Sequence, residues 1–165
     1  MSEWRSQVMR SDHQCGEFSC GQASLDDWLR AQALRAQTSG TARTYVWTRP
    51  EDDVVTAYFA IAPTLVRRGE VSRSMSGGVE VVPAYLLARL ALDQSLHGQG
   101  LGSQLLIDAL QVIVAAAETA AGRLILVDAI DDAAHAFSRH HDFVPIAGGR
   151  RMAMKVATAR AAINR

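Results

Sequence analysis

The spacing of apolar residues in the first third of the chain predicts one helix followed by a β-hairpin. Apolar side chains recur at helical intervals over Ser24–Thr38, and Ser24 is a suitable N-cap for that helix. Arg43–Arg49 and Val54–Ala62 are rich in β-branched and aromatic residues, which favours two strands joined by an acidic turn. Pro63 is expected to end the second strand.

The middle of the chain is predicted to form a polar loop, a buried strand and a long helix. Thr64–Gly78 is polar and contains glycines, which indicates the loop. Tyr85–Leu92 is apolar except at Arg89, a pattern typical of a strand that is buried on both faces. A charge in such a strand must emerge into a cleft or find a partner. Leu101–Ala121 has the length and periodicity of a helix. Its core stripe comprises Leu106, Leu110, Ile113 and Ala117.

The last third of the chain predicts a strand, a short helix and a final hairpin. Arg123–Ala129 is a short apolar run, and Asp131–His141 has the pattern of a short helix. Phe143–Val156 indicates two strands around Gly148-Gly149. The element order predicts a mixed α/β domain with a parallel pair of strands at its centre.

Composition is that of a globular protein. The chain has 165 residues, of which 48% are apolar and 21% are charged, so we predict a single domain over residues 1–165. No apolar run approaches the about 20 residues that a membrane span needs, and Met1–Asp12 holds no apolar signal core. A cytoplasmic protein that does not enter a membrane is expected.

The two cysteines give little support for a metal site. Cys15 and Cys20 lie close to His13 in the sequence, which loosely suggests metal ligands. Zinc normally needs four protein ligands, or three and a water molecule, and no second ligand cluster follows downstream. Two cysteines are also too few for a disulfide framework. We therefore predict no metal.

Charge is balanced overall but unevenly distributed. Leu29–Pro50 and Phe143–Arg165 hold arginines and no acidic residue. Local basic patches of this kind can bind polyanions even when the total charge is zero. The chain has sixteen arginines, one lysine and many alanines, so genome-wide codon bias is an alternative explanation.

The segment with the clearest chemical meaning is the glycine-rich turn after the buried strand. The turn is His97–Gly102, and a helix is predicted to start within it. The first turn of a helix has unpaired backbone N–H groups and a partial positive charge, and glycines let the backbone approach an anion closely. These properties predict a phosphate site.

Two common nucleotide motifs fit this turn poorly. A P-loop ends in Gly-Lys-Ser/Thr, whereas this turn ends in Gly102-Ser103 with no lysine. A dinucleotide-binding fold carries G-x-G-x-x-G near the start of its first βαβ unit, whereas here the glycines form G-x-G-x-G after the third strand. A glycine-rich turn without a ligand is the remaining alternative.

The turn resembles the loop of the GNAT acetyltransferases, which carry Q/R-x-x-G-x-G/A between their fourth strand and third helix. Gly100 and Gly102 match that pattern, and His97 replaces the first residue. Because backbone amides provide most of the phosphate contacts, binding is expected despite His97. The resemblance covers nearly the whole chain. It implies the α/β GNAT fold, a mixed central sheet with splayed parallel strands flanked by helices.

Within that family the sequence is most similar to the TacT-like acetyltransferase toxins of toxin–antitoxin pairs. The N-terminal pattern F-x-C-G…L-D-x-W-L is matched by Phe18–Gly21 and Leu25–Leu29. The fourth-strand pattern L-L-x-R-L-A-x-D is matched by Leu86–Asp93. The later pattern F-Y-x-x-x-G-F is matched over Phe137–Phe143 except at two positions. Each motif is weak alone, and their order and spacing make the resemblance specific.

The resemblance implies an acetyl-CoA site on the strand and the turn that follows it. The pantetheine arm would lie along Leu90–Leu92, and the pyrophosphate would lie on Gly98–Ser103. The residues implied to bind acetyl-CoA are Leu90, Ala91, Leu92, His97, Gly98, Gln99, Gly100, Leu101, Gly102 and Ser103.

The resemblance fails at the residue that would donate a proton. In the family a tyrosine protonates the leaving thiolate, and Ser138 occupies that position here, while Asp142 replaces the usual glycine. Serine is short and far less acidic than a phenol. Ser138 could act through water, the protein could be a weakened relative, or another group could take the role. The candidates for that other group are His135, His140, His141, Tyr45 and Tyr58.

In the toxin-like group the acceptor is the α-amino group of an amino acid carried on tRNA. A free α-amine has a pKa near 7.7–8.0, and esterification of the carboxyl should lower that pKa. Much of the amine is therefore neutral without a catalytic base. The toxins pair with a ribbon-helix-helix antitoxin and often form homodimers. Alternatives are a GNAT enzyme that acts on a small amine or a protein N-terminus, and a catalytically silent CoA-binding or antitoxin-binding module. The arginines expected to hold tRNA phosphates are Arg35, Arg43, Arg89, Arg150 and Arg151.

Overall fold

The computed structural model describes residues 3–146 and 149–165, and within these ranges the chain forms seven strands flanked by helices. The strands are β1 (Arg5–Val8), β2 (Arg43–Thr48), β3 (Ala57–Arg67), β4 (Val81–Leu92), β5 (Leu124–Asp128), β6 (Val144–Pro145) and β7 (Arg151–Lys155). The helices are α1 (Ala23–Ala31), α2 (Ala33–Ser39), α3 (Arg73–Ser76), α4 (Leu101–Ala120), α5 (Asp132–His140) and α6 (Val156–Ile163).

The strands form a mixed sheet in the order β1-β2-β3-β4-β5-β7-β6. β4 and β5 are parallel, as predicted, and their register runs from Ala84–Leu124 to Leu87–Val127. β4 then continues for the residues up to Leu92, which the sequence analysis placed under the cofactor. The predicted α/β class and the mixed sheet are confirmed.

The chain divides into two compact units. The first unit comprises Met1–Ala62 and Arg89–Asp108, and the second comprises Pro63–Ala88 and Ala109–Arg165. β3, β4 and α4 each contribute residues to both units. The prediction of one domain over residues 1–165 stays a prediction.

The core of the first unit lies between α1, α2 and the strands β2 and β3. Leu29, Val46 and Tyr58 are almost fully buried there, and Trp28 packs against them. The predicted single helix over Ser24–Thr38 is wrong, because α1 and α2 are separate and meet at Gln32. Ser24 is also not the N-cap, since α1 begins one residue earlier and Gln22 takes that place without a side-chain hydrogen bond.

β3 is longer than predicted. Pro63 was expected to end it, but the strand continues to Arg67. Its pairing with β2 ends at the pair Arg43–Ile61, so Pro63 lies beyond the β2 register, where its missing N–H breaks none of those bonds. The predicted loop over Thr64–Gly78 is correspondingly wrong at its start, and it contains a 3-10 turn and the short helix α3.

The core of the second unit is built on β5. Leu124, Leu126 and Ala153 are buried, and β5 pairs with β7 in an antiparallel register. Gly122 precedes β5 with a φ of 136°, and an added Cβ would clash with the ring of Tyr85. The predicted final hairpin is confirmed as β6 and β7, while Gly148 lies outside the described residues.

The prediction for α4 is confirmed, since the helix spans Leu101–Ala120 and its predicted core stripe is buried. This helix is long and apolar enough to cross a membrane by length and composition alone. Its buried stripe is what a core helix requires. Three elements, β1, α3 and α6, were not predicted, because each is short and lacks a clear apolar period.

Candidate active site

A cavity of about 270 Å³ lies at the end of β4, within the first unit. Its walls come from the last residues of β4, the turn after it and the start of α4. The lining residues are Leu90, Ala91, Leu92, His97, Gly98, Gly102 and Leu105. Six of the ten predicted cofactor residues are therefore brought together in one cavity. Gln99, Gly100, Leu101 and Ser103 belong to the same turn and to the first helical residues.

The turn has the backbone geometry that its glycines predict. Gly98 and Gly100 have φ angles of 77° and 74°, in the left-handed region that residues with a Cβ rarely adopt. No heavy atom lies within 4 Å of an ideal Cβ at either position, so the backbone borders open space. α4 starts at Leu101, and the first N–H groups of a helix have no partner within it.

His97 connects the turn back to the strand. Its Nε2 atom lies 2.7 Å from the carbonyl oxygen of Leu92, so the ring closes the turn against the end of β4. The side chain is exposed. The ring therefore supports the shape of the turn, and the glycine backbone is left to contact a ligand.

Asp93 also holds the turn, and the sequence analysis missed it. Its carboxylate accepts hydrogen bonds from the backbone N–H of Ser19 at 3.0 Å and from the hydroxyl of Ser95 at 2.6 Å. Burial opposes ionisation of this carboxyl, but the bonds from Ser95 and Ser19 outweigh it and lower its pKa. An aspartate two residues before a serine is typical of such a local turn, and this signal was available in the sequence.

Arg89 lies in β4 directly before the residues that line the cavity. It finds a partner, which is one of the two outcomes expected from the sequence, because its guanidinium carbon lies 4.1 Å from the centre of the Trp28 ring. Trp28 stacks in turn on Tyr58, with ring centres 6.1 Å apart and planes 11° apart. The Tyr58 hydroxyl donates a 2.7 Å hydrogen bond to the carbonyl of Leu25.

Ser138 lies in the last turn of α5, in the second unit, and is half-buried. Its carbonyl accepts a hydrogen bond from the N–H of Phe143, and the carbonyl of Arg139 accepts one from the N–H of Asp142. Asp142 has a φ of 72°. These bonds form a Schellman motif, which ends helices with a left-handed residue that is usually glycine. The left-handed backbone at this helix end therefore explains why the family has glycine at the position of Asp142.

Three of the five alternative proton donors, Tyr58, His141 and Tyr45, have contacts of their own. Burial raises the pKa of Tyr58 well above its usual value, and its hydroxyl is used by Leu25, so it is a poor acid. The His141 ring contacts Phe137 at 4.8 Å, and burial, together with the neighbouring His140, lowers its pKa. Tyr45 stacks on Phe59 with ring centres 5.2 Å apart.

The five arginines predicted to contact phosphates have different surroundings. Arg35 and Arg43 are exposed. Arg150 pairs with Asp132 at 2.9 Å. Arg151 makes a two-pronged contact with Asp128 at 2.7 and 2.9 Å, which raises its pKa.

The weak metal candidates have other roles in the fold. The Nδ1 atom of His13 accepts a hydrogen bond from the N–H of Arg10 at 2.8 Å. Cys15 and Cys20 are buried, and burial raises the pKa of both thiols, that of Cys20 to about 11. In the part of the chain that the structure describes, no group of three or more metal-ligating side chains is present.

Relatives of the chain decide its family. A tRNA-acetylating toxin from Mycobacterium tuberculosis is 43% identical over 130 residues, covering 76% of this chain and 75% of the toxin. This chain belongs to the family of tRNA-acetylating toxins. A probable toxin TacT from Sinorhizobium fredii is 26% identical over 121 residues, covering 72% of this chain and 67% of the relative. No family model matches the chain.

Solved structures share the fold over nearly the whole chain. A tyrosine-to-phenylalanine mutant of KacT superimposes with a TM-score of 0.91 at 19% identity, covering 98% of this chain and 99% of KacT. AtaT complexed with acetyl-methionyl-tRNAfMet superimposes with a TM-score of 0.87 at 24% identity, covering 96% and 98% of the two chains. The GNAT fold and the resemblance to toxin acetyltransferases are confirmed.

Proposed function

We propose that this protein transfers the acetyl group of acetyl-CoA to the α-amino group of an aminoacyl-tRNA, and so blocks translation. The observation that carries this proposal is the cavity at the end of β4, with its glycine turn, in a chain that is 43% identical to a tRNA-acetylating toxin. AtaT has been solved with an acetylated tRNA and, as a mutant bound to its antitoxin peptide, with acetyl-CoA.

The geometry of the turn fits acetyl-CoA. Gly98 and Gly100 leave open space where a Cβ would otherwise project, which suits a pyrophosphate lying against their N–H groups. The remaining turn residues, Gln99 and Leu101 to Ser103, would add backbone contacts at the start of α4. Leu90 and Leu92 are half-buried and line the cavity, which suits the amide and alkyl groups of pantetheine.

The reaction requires little acid–base help from the protein. Bound acetyl-CoA would supply a thioester, whose acyl carbon is open to attack by an amine. An α-amine has a pKa near 7.7–8.0, and an ester at the neighbouring carboxyl lowers it, so much of the acceptor is neutral at pH 7. No general base is then needed to make the nucleophile, and the nitrogen loses its extra proton to solvent after it has attacked the acyl carbon. The thiolate still has to receive a proton, and Ser138 supplies no acidic phenol for that step.

The comparisons favour charged tRNA over the other acceptors. A small amine, a protein N-terminus and a silent binding module were the alternatives, and the relatives support none of them. Arg35, Arg43 and Arg89 carry no carboxylate partner among the described residues, and they would hold phosphates of the tRNA. Arg150 and Arg151 would need to exchange a carboxylate partner for a phosphate.

The relatives also indicate a protein partner. Solved neighbours include AtaT bound to the C-terminus of the antitoxin AtaR, and an AtaT–AtaR complex bound to DNA. We propose that an antitoxin of ribbon-helix-helix type neutralises this protein, that the protein forms a homodimer, and that it acts in the cytoplasm. Co-expression with a candidate ribbon-helix-helix antitoxin, followed by light scattering of the purified complex, tests the partner and the oligomeric state.

The direct test is transfer of radiolabelled acetyl groups from acetyl-CoA to a pool of aminoacylated tRNA. We expect label in acid-precipitable RNA, and release of that label as acetyl-amino acids by mild base. The same tRNA after deacylation is the control, because it lacks the acceptor amine and must stay unlabelled.

A Ser138→Tyr protein is assayed in parallel, since a weak wild-type rate would otherwise be hard to distinguish from no reaction. If neither protein labels the charged pool, the proposal is wrong. If both proteins label the deacylated tRNA as strongly as the charged tRNA, the acceptor is not the amino acid and the proposal is also wrong.

A further inference from the structure

Arg89 is a half-buried cation that is balanced by a ring and not by an acid. Its guanidinium lies over Trp28, and in the part of the chain that the structure describes it has no carboxylate contact. No other residue of β4, from Val81 to Leu92, is charged. A leucine at this position would pack on Trp28 without the cost of burying charge, so packing alone does not account for the arginine.

Trp28 is held in place by its contacts with other aromatic side chains. Its ring stacks on Tyr58, and Phe18 meets the edge of Tyr58 with ring centres 5.6 Å apart. The Tyr58 hydroxyl bonds to the Leu25 carbonyl, one turn of α1 before Trp28. The indole is therefore a fixed surface in the first unit, and a guanidinium lying on it has restricted freedom.

A guanidinium that lies on a ring keeps its N–H groups for other partners. Five N–H donors form a rigid fork that matches the oxygens of a phosphate, and the face of the indole uses none of them. The position also matters, because Arg89 directly precedes Leu90–Leu92, which line the cavity. An anion bound by Arg89 would lie beside the end of the acetyl-CoA site.

We propose that Trp28 is a positioning residue that holds the guanidinium of Arg89 in place for a backbone phosphate of the acceptor end of tRNA. The proposal rests on the proposed function, because it requires a nucleic-acid acceptor. Phosphates of acetyl-CoA are the other source of this chemistry. We assign the tRNA phosphate to Arg89 because the pyrophosphate already has the glycine turn, Gly98–Ser103, as its site.

The experiment measures the KM of acetyl-CoA and of charged tRNA separately for Trp28→Leu, Trp28→Phe and Arg89→Gln. Trp28→Leu should raise the KM for charged tRNA about fivefold to 30-fold, as expected for loss of a partly desolvated cation–π contact. Trp28→Phe keeps an aromatic face and should restore most of the loss. The KM for acetyl-CoA should change less than about twofold in all three proteins.

The double variant Trp28→Leu with Arg89→Gln separates positioning from general packing. If Trp28 acts through Arg89, the tryptophan substitution has no further effect once the arginine is gone. An aminoacyl-adenosine, which carries the acceptor amine and no phosphate, is the second acceptor. Its KM should be the same in the wild type and in Trp28→Leu.

The chain offers a matched control in Arg49 and Trp4. The guanidinium of Arg49 lies 4.7 Å from the centre of the Trp4 ring, in the same unit, and neither residue lines the cavity. Trp4→Leu removes the same kind of contact and should leave both KM values unchanged.

Two results would overturn the proposal. In the first, Trp28→Leu raises the KM for charged tRNA as much in the Arg89→Gln protein as in the wild type. In the second, Trp28→Leu raises the KM for acetyl-CoA or for aminoacyl-adenosine as much as it raises the KM for charged tRNA. If the wild type acetylates charged tRNA in these assays, either result removes the role of Trp28 while the proposed function stands.

Discussion

The turn after β4 offers its backbone to a ligand, whereas the end of α5 would have to offer a side chain. At the turn, Gly98 and Gly100 adopt left-handed φ angles beside open space, and the replacement at His97 leaves that backbone intact. At the end of α5, the Schellman bonds preserve the helix end although Asp142 replaces glycine, but Ser138 lacks the phenol. A backbone site tolerates substitution of its neighbours, and a side-chain site does not.

The contrast between the backbone site at the turn and the side-chain site at the end of α5 is tested most strongly at Ser138. Restoring the phenol with Ser138→Tyr should raise kcat about 100-fold, the low end of what a general acid contributes. Steady-state acetylation of charged tRNA measures it. Ser138→Phe is the matched control, because it adds the ring without the hydroxyl. An equal gain with phenylalanine would show that packing, and not proton donation, limits the serine protein.

A substitution within the turn should act on cofactor binding and not on the chemical step. Gly100→Val places a branched side chain at a φ of 74° and in the space where the pyrophosphate would lie. We expect the KM for acetyl-CoA to rise about 30-fold, the value of one charge-assisted hydrogen bond of about 2 kcal/mol. Gly16→Val is the control, because Gly16 is exposed with open space around it. A normal KM in Gly100→Val would exclude this turn as the anion site.

The end of α5 should gain stability when its left-handed residue becomes glycine. Asp142→Gly should raise the free energy of unfolding by about 1 kcal/mol, because glycine adopts a φ of 72° without strain and removes a negative charge from a helix C-terminus. Denaturant unfolding measures the change. Asp142→Asn removes only the charge and should give a smaller gain. A loss of stability in the glycine variant would contradict this account of the helix end.

The smallest effect is expected at His97. Glutamine, the family residue, can also hydrogen-bond to the carbonyl of Leu92, so His97→Gln should change the KM for acetyl-CoA by no more than about threefold. Isothermal titration calorimetry with CoA compares the dissociation constants of the wild type and the His97→Gln protein without turnover. A change as large as that of Gly100→Val would mean that the ring itself binds the ligand.

The sequence predicted the elements that carry a strong periodic or glycine signal. Local rules predict α4, its core stripe, β4 and the turn. Helical spacing and glycines with left-handed φ angles each involve only a few adjacent residues. The resemblance to known toxins is the basis for proposing the cofactor residues, six of which line one cavity, and periodicity alone could not have proposed them.

Features that depend on distant residues could not be predicted in this way. β3 passes Pro63 because the pairing with β2 has already ended, a fact about register and not about local sequence. The contact between Arg89 and Trp28 joins residues from β4 and α1. A cleft or a partner was expected for Arg89 from the sequence, but only the fold identifies the partner as Trp28.

The scarcity of lysine bears on what an acetyltransferase can do to itself. Lys155 is the one side-chain amine in the chain, and its ammonium group is hydrogen-bonded to the hydroxyl of Ser74. The sixteen arginines carry guanidinium groups, which do not accept acetyl groups from a thioester. A protein that makes nearly all its cationic contacts with guanidinium groups can hold an acetyl donor with almost no side chain of its own to modify. Its reactive thioester is thus kept for an amine that arrives from outside.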